Sequence, residues 1–406
     1  MATIRPPLTR ATTCESPLSS VRFDWLMALV SIWWMGGLFV DAWAHSNVPQ
    51  LETFFTPWHA VLYSGFLAVA ATLVIKTISN RKLAAAGNVA SGAPPSLMTC
   101  ISNTGRGFRW LITVPAGYEL SLLGVGIFAV SGVGDLIWHL LFGIEGSVDA
   151  LLSPTHLGLA LGVGLALSGP LRAAWRRRES AGTSSWRQLG PAIVSLTFTL
   201  SLLTFFTEYA SPLVNPWPIY PASVLAGNGR IIPTSVLEGT GPALGIADIL
   251  LQTGLLMGFV LLAIRRWRLP MGVFTFIFTL NAGLMMAAFN QHVLLFLLPC
   301  AGLSGLAADL LYKRLQPAED RPESVRLFAF VVPAMLYLLY FLNLAIVGPI
   351  FFQSGITWSV HFWAGSFVIA GIVGFLLSYV MIPPPNPVRS RKNLSTNQAS
   401  RLFPPE

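Results

Sequence analysis

The stretch GDLIWHLLFGIEGSVDALLSPTHLG, Gly134–Gly158, ends one oily run and begins the next, and it places Asp135, His139 and His156 around the join. Ionisable groups are costly inside a bilayer, so those at the ends of apolar runs ordinarily mark a site. A second stretch, DAWAHSNVPQLETFFTPWHAVLYSG, Asp41–Gly65, repeats the arrangement with Asp41, His45 and His59. Asp41 to Asp135 and His45 to His139 are each 94 residues apart, and His59 to His156 is 97, because the second loop is three residues longer. Each copy reads D-x3-H, a loop containing an acid (Glu52 or Glu145), then S/T-P-x-H, and each has a tryptophan in its first element, Trp43 or Trp138. Repeated helix pairs are a common way to build polytopic folds, with sites at the interface between copies. A duplicated helical hairpin in the N-terminal half is therefore expected.

Around these stretches the 406-residue chain is 54% hydrophobic and only 10% charged, with a mean hydropathy of +0.65. That is too apolar for a water-soluble domain. A span needs about twenty apolar residues, and ten runs qualify: 25–44, 58–77, 119–142, 155–171, 190–208, 244–264, 269–289, 292–311, 327–349 and 358–382. Basic residues test the count, because short loops rich in Lys and Arg stay cytoplasmic. With the N-terminus inside, 24 of the 25 basic residues fall on the cytoplasmic side and only Arg230 falls outside. A miscounted span would scramble that segregation. The expected architecture is an all-α polytopic membrane protein of about ten transmembrane helices in a bacterial cytoplasmic membrane, with both termini cytoplasmic.

The expected organisation is a cytoplasmic N-terminal tail (1–24), a first hairpin repeat (25–78), a cytoplasmic linker (79–118) and a second hairpin repeat (119–171). Six further spans follow (172–382), interrupted by a long extracytoplasmic loop (209–243), and then a disordered cytoplasmic tail (383–406). The linker segment AAAGNVASGAPPS and the proline-rich tail are too polar and too small in side chain to bury a core. Residues 1–24 lack a short apolar core with a small-residue cleavage site, so the first span is expected to stay. In the long loop, Trp217, Tyr220, Ile231 and Ile232 are placed to rest at the membrane interface. The net charge of +8 lies in juxtamembrane clusters such as RAAWRRR (172–178) and RRWR (265–268). These suit anionic lipid headgroups rather than nucleic acid. Cys14, Cys100 and Cys300 are too scattered for a disulfide framework or a CxxC metal site.

On a helix, residues four apart share a face, so Asp41 with His45, and Asp135 with His139, each present a carboxylate and an imidazole together. In Thr56-Pro57-Trp58-His59 and Ser153-Pro154-Thr155-His156 the hydroxyl residue is a good N-cap and proline suits the first helical position. His59 and His156 then sit in the first turn, where the positive helix end disfavours a protonated ring. Neutral imidazole is the form that binds metal. Each hairpin thus brings two histidines and one carboxylate to one corner, a recurrent ligand set for transition metals.

All six histidines map to the same side of the predicted topology. His292 lies at the turn between spans seven and eight, and His361 in the first turn of span ten. Taken singly, an interfacial histidine is ordinarily an amphipathic surface residue. Asp41 and Asp135 alone would read as structural partners of their i+4 histidines. The duplicated set goes further, and the candidate metal ligands are Asp41, His45, His59, Asp135, His139 and His156, with His292 and His361 completing or flanking them. Glu52, Glu145, Asp149, Glu208, Glu238 and Asp248 read as solvated acids of loops and rims, and Asn290 and Gln291 as hydrogen-bond partners of a ligand.

Imidazole with carboxylate suits copper, iron and zinc, and the lack of nearby cysteine argues against a thiolate site. Haem would need opposed rings across the bundle, which the adjacent carboxylates disfavour. The D-x3-H motif followed by a further histidine, near the outer face, resembles the metal-ligand motif in the C subunit of the particulate methane and ammonia monooxygenases. That resemblance spans about one hairpin at a time and implies copper-ligand roles for Asp41, His45 and His59, or for Asp135, His139 and His156. This chain departs from it in having two copies, ten spans and extra histidines. The wider sequence resembles uncharacterised bacterial multi-pass membrane proteins carrying TPWH and SPTH elements, which implies no function.

The expectation is a metal-dependent membrane oxidoreductase, monooxygenase-like, with copper first and iron or zinc after it. Its site would hold one mononuclear or dinuclear centre, or two related by the repeat. An apolar small-molecule substrate would enter from the lipid bilayer, and partner subunits or an electron donor would supply electrons. A metal-ion or small-solute permease with a cation site between the hairpins, or a zinc-dependent membrane hydrolase, are the alternatives.

Overall fold

Ser20 starts the first helix by accepting the Phe23 N–H on its hydroxyl at 3.2 Å, which satisfies one of the donors a helix leaves free at its start. The structure, a computed structural model, describes residues 19–48, 55–87, 113–143, 148–177, 185–219, 234–289, 296–351 and 355–383. Within them the regular structure is helical: α1 Val21–Asn47, α2 Pro57–Gly87, α3 Glu119–Phe142, α4 Val148–Leu152, α5 Pro154–Leu167, α6 Gly169–Arg176 and α7 Trp186–Phe206. After two 3-10 turns, Glu208–Ala210 and Trp217–Ile219, come α8 Thr234–Arg266, α9 Val273–Ala288, α10 Leu298–Leu315, α11 Pro322–Phe351 and α12 Val360–Met381.

Eight helical segments of the described residues are long and apolar enough to cross a membrane, with α5 and α6 counting as one, Pro154–Arg176. The protein is thus an all-α integral membrane protein. The two remaining expected spans, 269–289 and 292–311, coincide with the shorter α9 and α10, of 16 and 18 residues. At about 1.5 Å per residue these are shorter than a hydrocarbon core of roughly 30 Å. α2 continues to Gly87, past the expected boundary at 78, as the strong helix formers Ala84–Ala86 favour. Most of the expected linker and all but its first residue of the expected C-terminal tail lie outside the described residues, as do Tyr220, Ile231 and Ile232.

The chain divides into two compact units, residues 1–206 with 284–291, and 207–283 with 292–406. In the first, α1 and α2 form one antiparallel hairpin and α3 and α5 another, each drawn close by glycine. A Cβ on Gly65 would stand 2.5 Å from the Cα of Trp34, and one on Gly162 would stand 2.7 Å from the backbone N of Phe128. Small residues permit such approach, and close packing rather than hydrophobicity drives helix association in lipid. Gly65 follows His59 by six residues as Gly162 follows His156, and Trp34 precedes Asp41 by seven as Phe128 precedes Asp135. The repeat therefore extends from the polar motif into the packing.

At the far ends of these helices a buried Asp24 accepts hydrogen bonds from Ser19 Oγ at 2.5 Å and from the Tyr118 hydroxyl at 2.7 Å, and pairs with Arg177. This joins the start of α1 to the start of α3 and the end of α6. Burial, and then the neighbouring Asp24 carboxylate, hold the Tyr118 phenol well above its ordinary pKa.

In the second unit, Asp309 accepts the backbone N–H groups of Phe274 and Thr275, at 3.2 and 2.9 Å, and the Thr275 hydroxyl at 2.6 Å. It caps α9. Arg326 donates to the carbonyls of Ser378 and Ile382 at the end of α12 and lies over the Tyr379 ring at 3.9 Å. Trp217 donates its indole N–H to Asp248 at 2.8 Å. Asp248, expected on a solvated rim, is buried.

Candidate metal centre

The four helix ends that carry the repeated motif are shaped by their caps. Thr56 accepts the His59 N–H at 3.2 Å, and Ser153 accepts that of His156 at 3.4 Å. The same hydroxyls contact ring Nδ1, at 2.9 Å for His59 and 2.5 Å for His156. A hydroxyl oxygen has two lone pairs, so each cap can accept both the backbone N–H and an Nδ1–H. In that tautomer Nε2 carries the ring's lone pair, on the side of Asp41 in the first hairpin and of Asp135 in the second.

In the first hairpin, His45 Nε2 and His59 Nε2 stand 3.8 and 3.6 Å from Asp41 Oδ2. In the second, His139 Nε2 stands 3.5 Å from Asp135 Oδ2 and His156 Nε2 stands 3.5 Å from Asp135 Oδ1. These separations exceed ordinary hydrogen-bond lengths. Ligand atoms about 2.1 Å from a tetrahedral ion lie roughly 3.4 Å from one another, close to the spacing here. All three donor atoms of each triad fall within 4.8 Å of one another. The two imidazoles of each pair are steeply inclined, with centroids 5.5 Å and 5.6 Å apart at 81° and 63°. Each triad could hold a metal ion and leave coordination positions for another ligand.

The second triad is further braced. His139 Nδ1 lies 3.1 Å from the Gly143 carbonyl, and Thr155 donates its hydroxyl to Asp135 Oδ1 at 2.9 Å. Such outer contacts fix ring orientation and tautomer in metal sites. The triads also lie within electrostatic range of one another, Asp135 and His139 acting on Asp41, and Asp135, His139 and His156 acting on His59.

The structure thus brings together Asp41, His45 and His59 in one group and Asp135, His139 and His156 in another. His361 is exposed on the first turn of α12 and belongs to neither group. His292 lies outside the described residues, with Asn290, Gln291, Glu52 and Glu145.

Two residues escaped the sequence reading. Tyr63, one turn after His59 on α2, reaches α3, where a Cβ on Gly132 would stand 2.9 Å from its hydroxyl, and it is within electrostatic range of both Asp41 and Asp135. Its i+4 spacing from His59 was the available signal. Thr155 was read only as part of a cap motif, and its position one residue before His156 was the signal for a contact with Asp135. No protein-family model matches the chain, nor does any curated protein or solved structure.

Proposed function

We propose that the protein is a metal-dependent oxidoreductase of the bacterial cytoplasmic membrane, with two 2-His-1-carboxylate centres near its extracytoplasmic face and both termini in the cytoplasm. The observation that carries it is the repeated geometry: in both hairpins two Nε2 atoms and a carboxylate converge at the spacing a bound ion requires. The segregation of basic residues supports the orientation.

Copper is the first candidate, with iron or zinc behind it, since imidazole and carboxylate serve all three. A monooxygenase-type reaction would insert one oxygen atom of O2 into a substrate C–H bond. The other atom would leave as water, with two electrons and two protons from an external donor. The bound ion would supply the redox chemistry toward oxygen. Thr56, Ser153 and the Gly143 carbonyl would hold imidazole tautomers, and Thr155 would keep the Asp135 carboxylate aimed. An apolar substrate reaches such a centre from the lipid.

A permease would need a path for the cation beyond the triads. The two buried acids among the described residues of the later helices are engaged, Asp309 in capping α9 and Asp248 by the Trp217 indole, which favours the enzyme.

The test is full-length protein purified in detergent without chelators, with copper, iron and zinc quantified per chain and EPR and visible spectra recorded. Two redox-active ions per chain are expected, and His139→Ala or Asp41→Ala should each lower the content to one. Zinc alone would move the reading to hydrolysis, and protein that neither retains nor takes up metal would overturn it.

A further inference from the structure

The two triads share a motif but differ in what stands behind the carboxylate. In the second, all three ligand side chains are braced: His139 by the Gly143 carbonyl, His156 by Ser153, and Asp135 by Thr155. In the first, among the described residues, only His59 has such a brace, from Thr56. The residue equivalent to Thr155 is Trp58, and its indole packs edge to face on Trp43, with centroids 5.8 Å apart, instead of bonding the acid. Asp41 Oδ2 faces both histidines, whereas Asp41 Oδ1 is buried without a hydrogen-bond partner among the described residues. The Asp41 residue is only 8% exposed, so bulk solvent does not bathe this oxygen. A buried carboxylate oxygen without a donor is costly, and an incoming donor relieves that cost.

Imidazole exposure does not separate the triads, since His45 at 25% and His156 at 21% are alike. The carboxylates do: Asp135 has a side chain 2% exposed and is already bonded.

We infer that the two centres are unequal: the Asp135 centre keeps a resident ion, and the Asp41 centre exchanges its ion and takes up an external hydroxylic ligand, a water or an alcohol, which donates to Asp41 Oδ1. This rests on the metal-binding reading above. Hydrogen-bond partners behind metal ligands are typically worth 10–100-fold in affinity, so the braced centre should be the tighter by about that factor. The Asp41 centre, with a buried acceptor left over, is then the one that takes an O–H donor such as water or the alcohol that C–H oxygenation yields.

The experiment loads full-length protein in detergent with Co(II) and follows its visible bands during dialysis against graded EDTA. Two release steps are expected, separated by about 10–100-fold in chelator concentration. Asp135→Ala should leave only the labile step and Asp41→Ala only the resistant one. Thr155→Val should bring the second step toward the first, Thr155→Ser should restore it, and Trp58→Thr, which adds the missing hydroxyl to the other copy, should make the labile ion more resistant. Ethanol should perturb the Co(II) bands of Asp135→Ala protein and not those of Asp41→Ala protein. One concerted release of two ions, or equal ethanol responses, would overturn the inequality while leaving metal binding intact. Protein that takes up no Co(II) would overturn both.

Discussion

The rings of Trp34 and Phe128 meet edge to face, with centroids 4.9 Å apart and planes at 86°. They are equivalent residues of the two repeats, and each is also the residue on which its own hairpin's glycine closes. Like touches like where two copies are related by a local two-fold, so this contact joins the hairpins, with Tyr63 and Phe66 also packed on Phe128.

Enlarging either glycine should therefore disturb a metal centre many residues away. Gly162→Val would drive a side chain into the α3 backbone at Phe128, and Gly65→Val would do the same at Trp34. Overpacking of this kind costs about 1–3 kcal/mol. The expected outcome is a lower melting temperature together with loss of one ion per chain, read by a thermal melt in detergent and metal analysis of the folded fraction. Unchanged metal content in a destabilised protein would uncouple the packing from the centre.

The helix caps make a separable prediction, because Thr56 and Ser153 each hold a helix start and an imidazole. Thr56→Val keeps the shape and removes the acceptor, leaving His59 Nδ1 without its partner; Ser153→Ala does the same to His156. Each should weaken metal binding about 10–100-fold and cost the helix about 1 kcal/mol. Competition against a chelator measures the first and thermal unfolding of the metal-free protein the second. Thr56→Ser should restore both.

Much of this was legible in the sequence, and what was not has a common cause. The all-helical spans follow from hydropathy, and the six residues of the two triads follow from two local rules, i+4 facing and the S/T-P start of a helix, which act within one turn. The Gly65–Trp34 and Gly162–Phe128 approaches, Tyr63 against Gly132 and the Thr155 bond to Asp135 involve partners on different helices, so no single helix encodes them. The Trp217 bond to Asp248 went unread for the same reason, its partner lying 31 residues away on α8. Asp24 drew no reading from the sequence, because its partners Tyr118 and Arg177 lie at the ends of other helices.

Acidity should release the ions. Carboxylate and imidazole bind metal only when deprotonated, so protons compete with the ion for every ligand and affinity falls as the pH drops. Dialysis of metal-loaded protein against buffers of falling pH should show progressive loss. Retention of both ions at the acid end, in protein that remains folded, would point to ligands other than these triads. At the alkaline end the opposite sign applies to Tyr118. Its folded pKa is raised above 10.0, so stability is present below that value and is lost as the pH rises through it, because the unfolded phenol ionises first.

Asp24 separates stability from chemistry. It is fully buried and paired with Arg177, Tyr118 and Ser19, and removing one partner of a buried pair costs about 3–5 kcal/mol. Arg177 keeps part of its side chain in solvent, so Asp24→Ala should fall at or below the lower end of that range. Asp24→Asn should cost less, since its amide oxygen still accepts from Tyr118. Along α1, Asp24 and Asp41 lie about 26 Å apart at 1.5 Å per residue. Both variants should therefore melt earlier yet hold the same number of ions per folded chain, measured by thermal unfolding beside metal analysis. A loss of metal from folded Asp24→Asn protein would show that the network at one end of the hairpins governs the centres at the other.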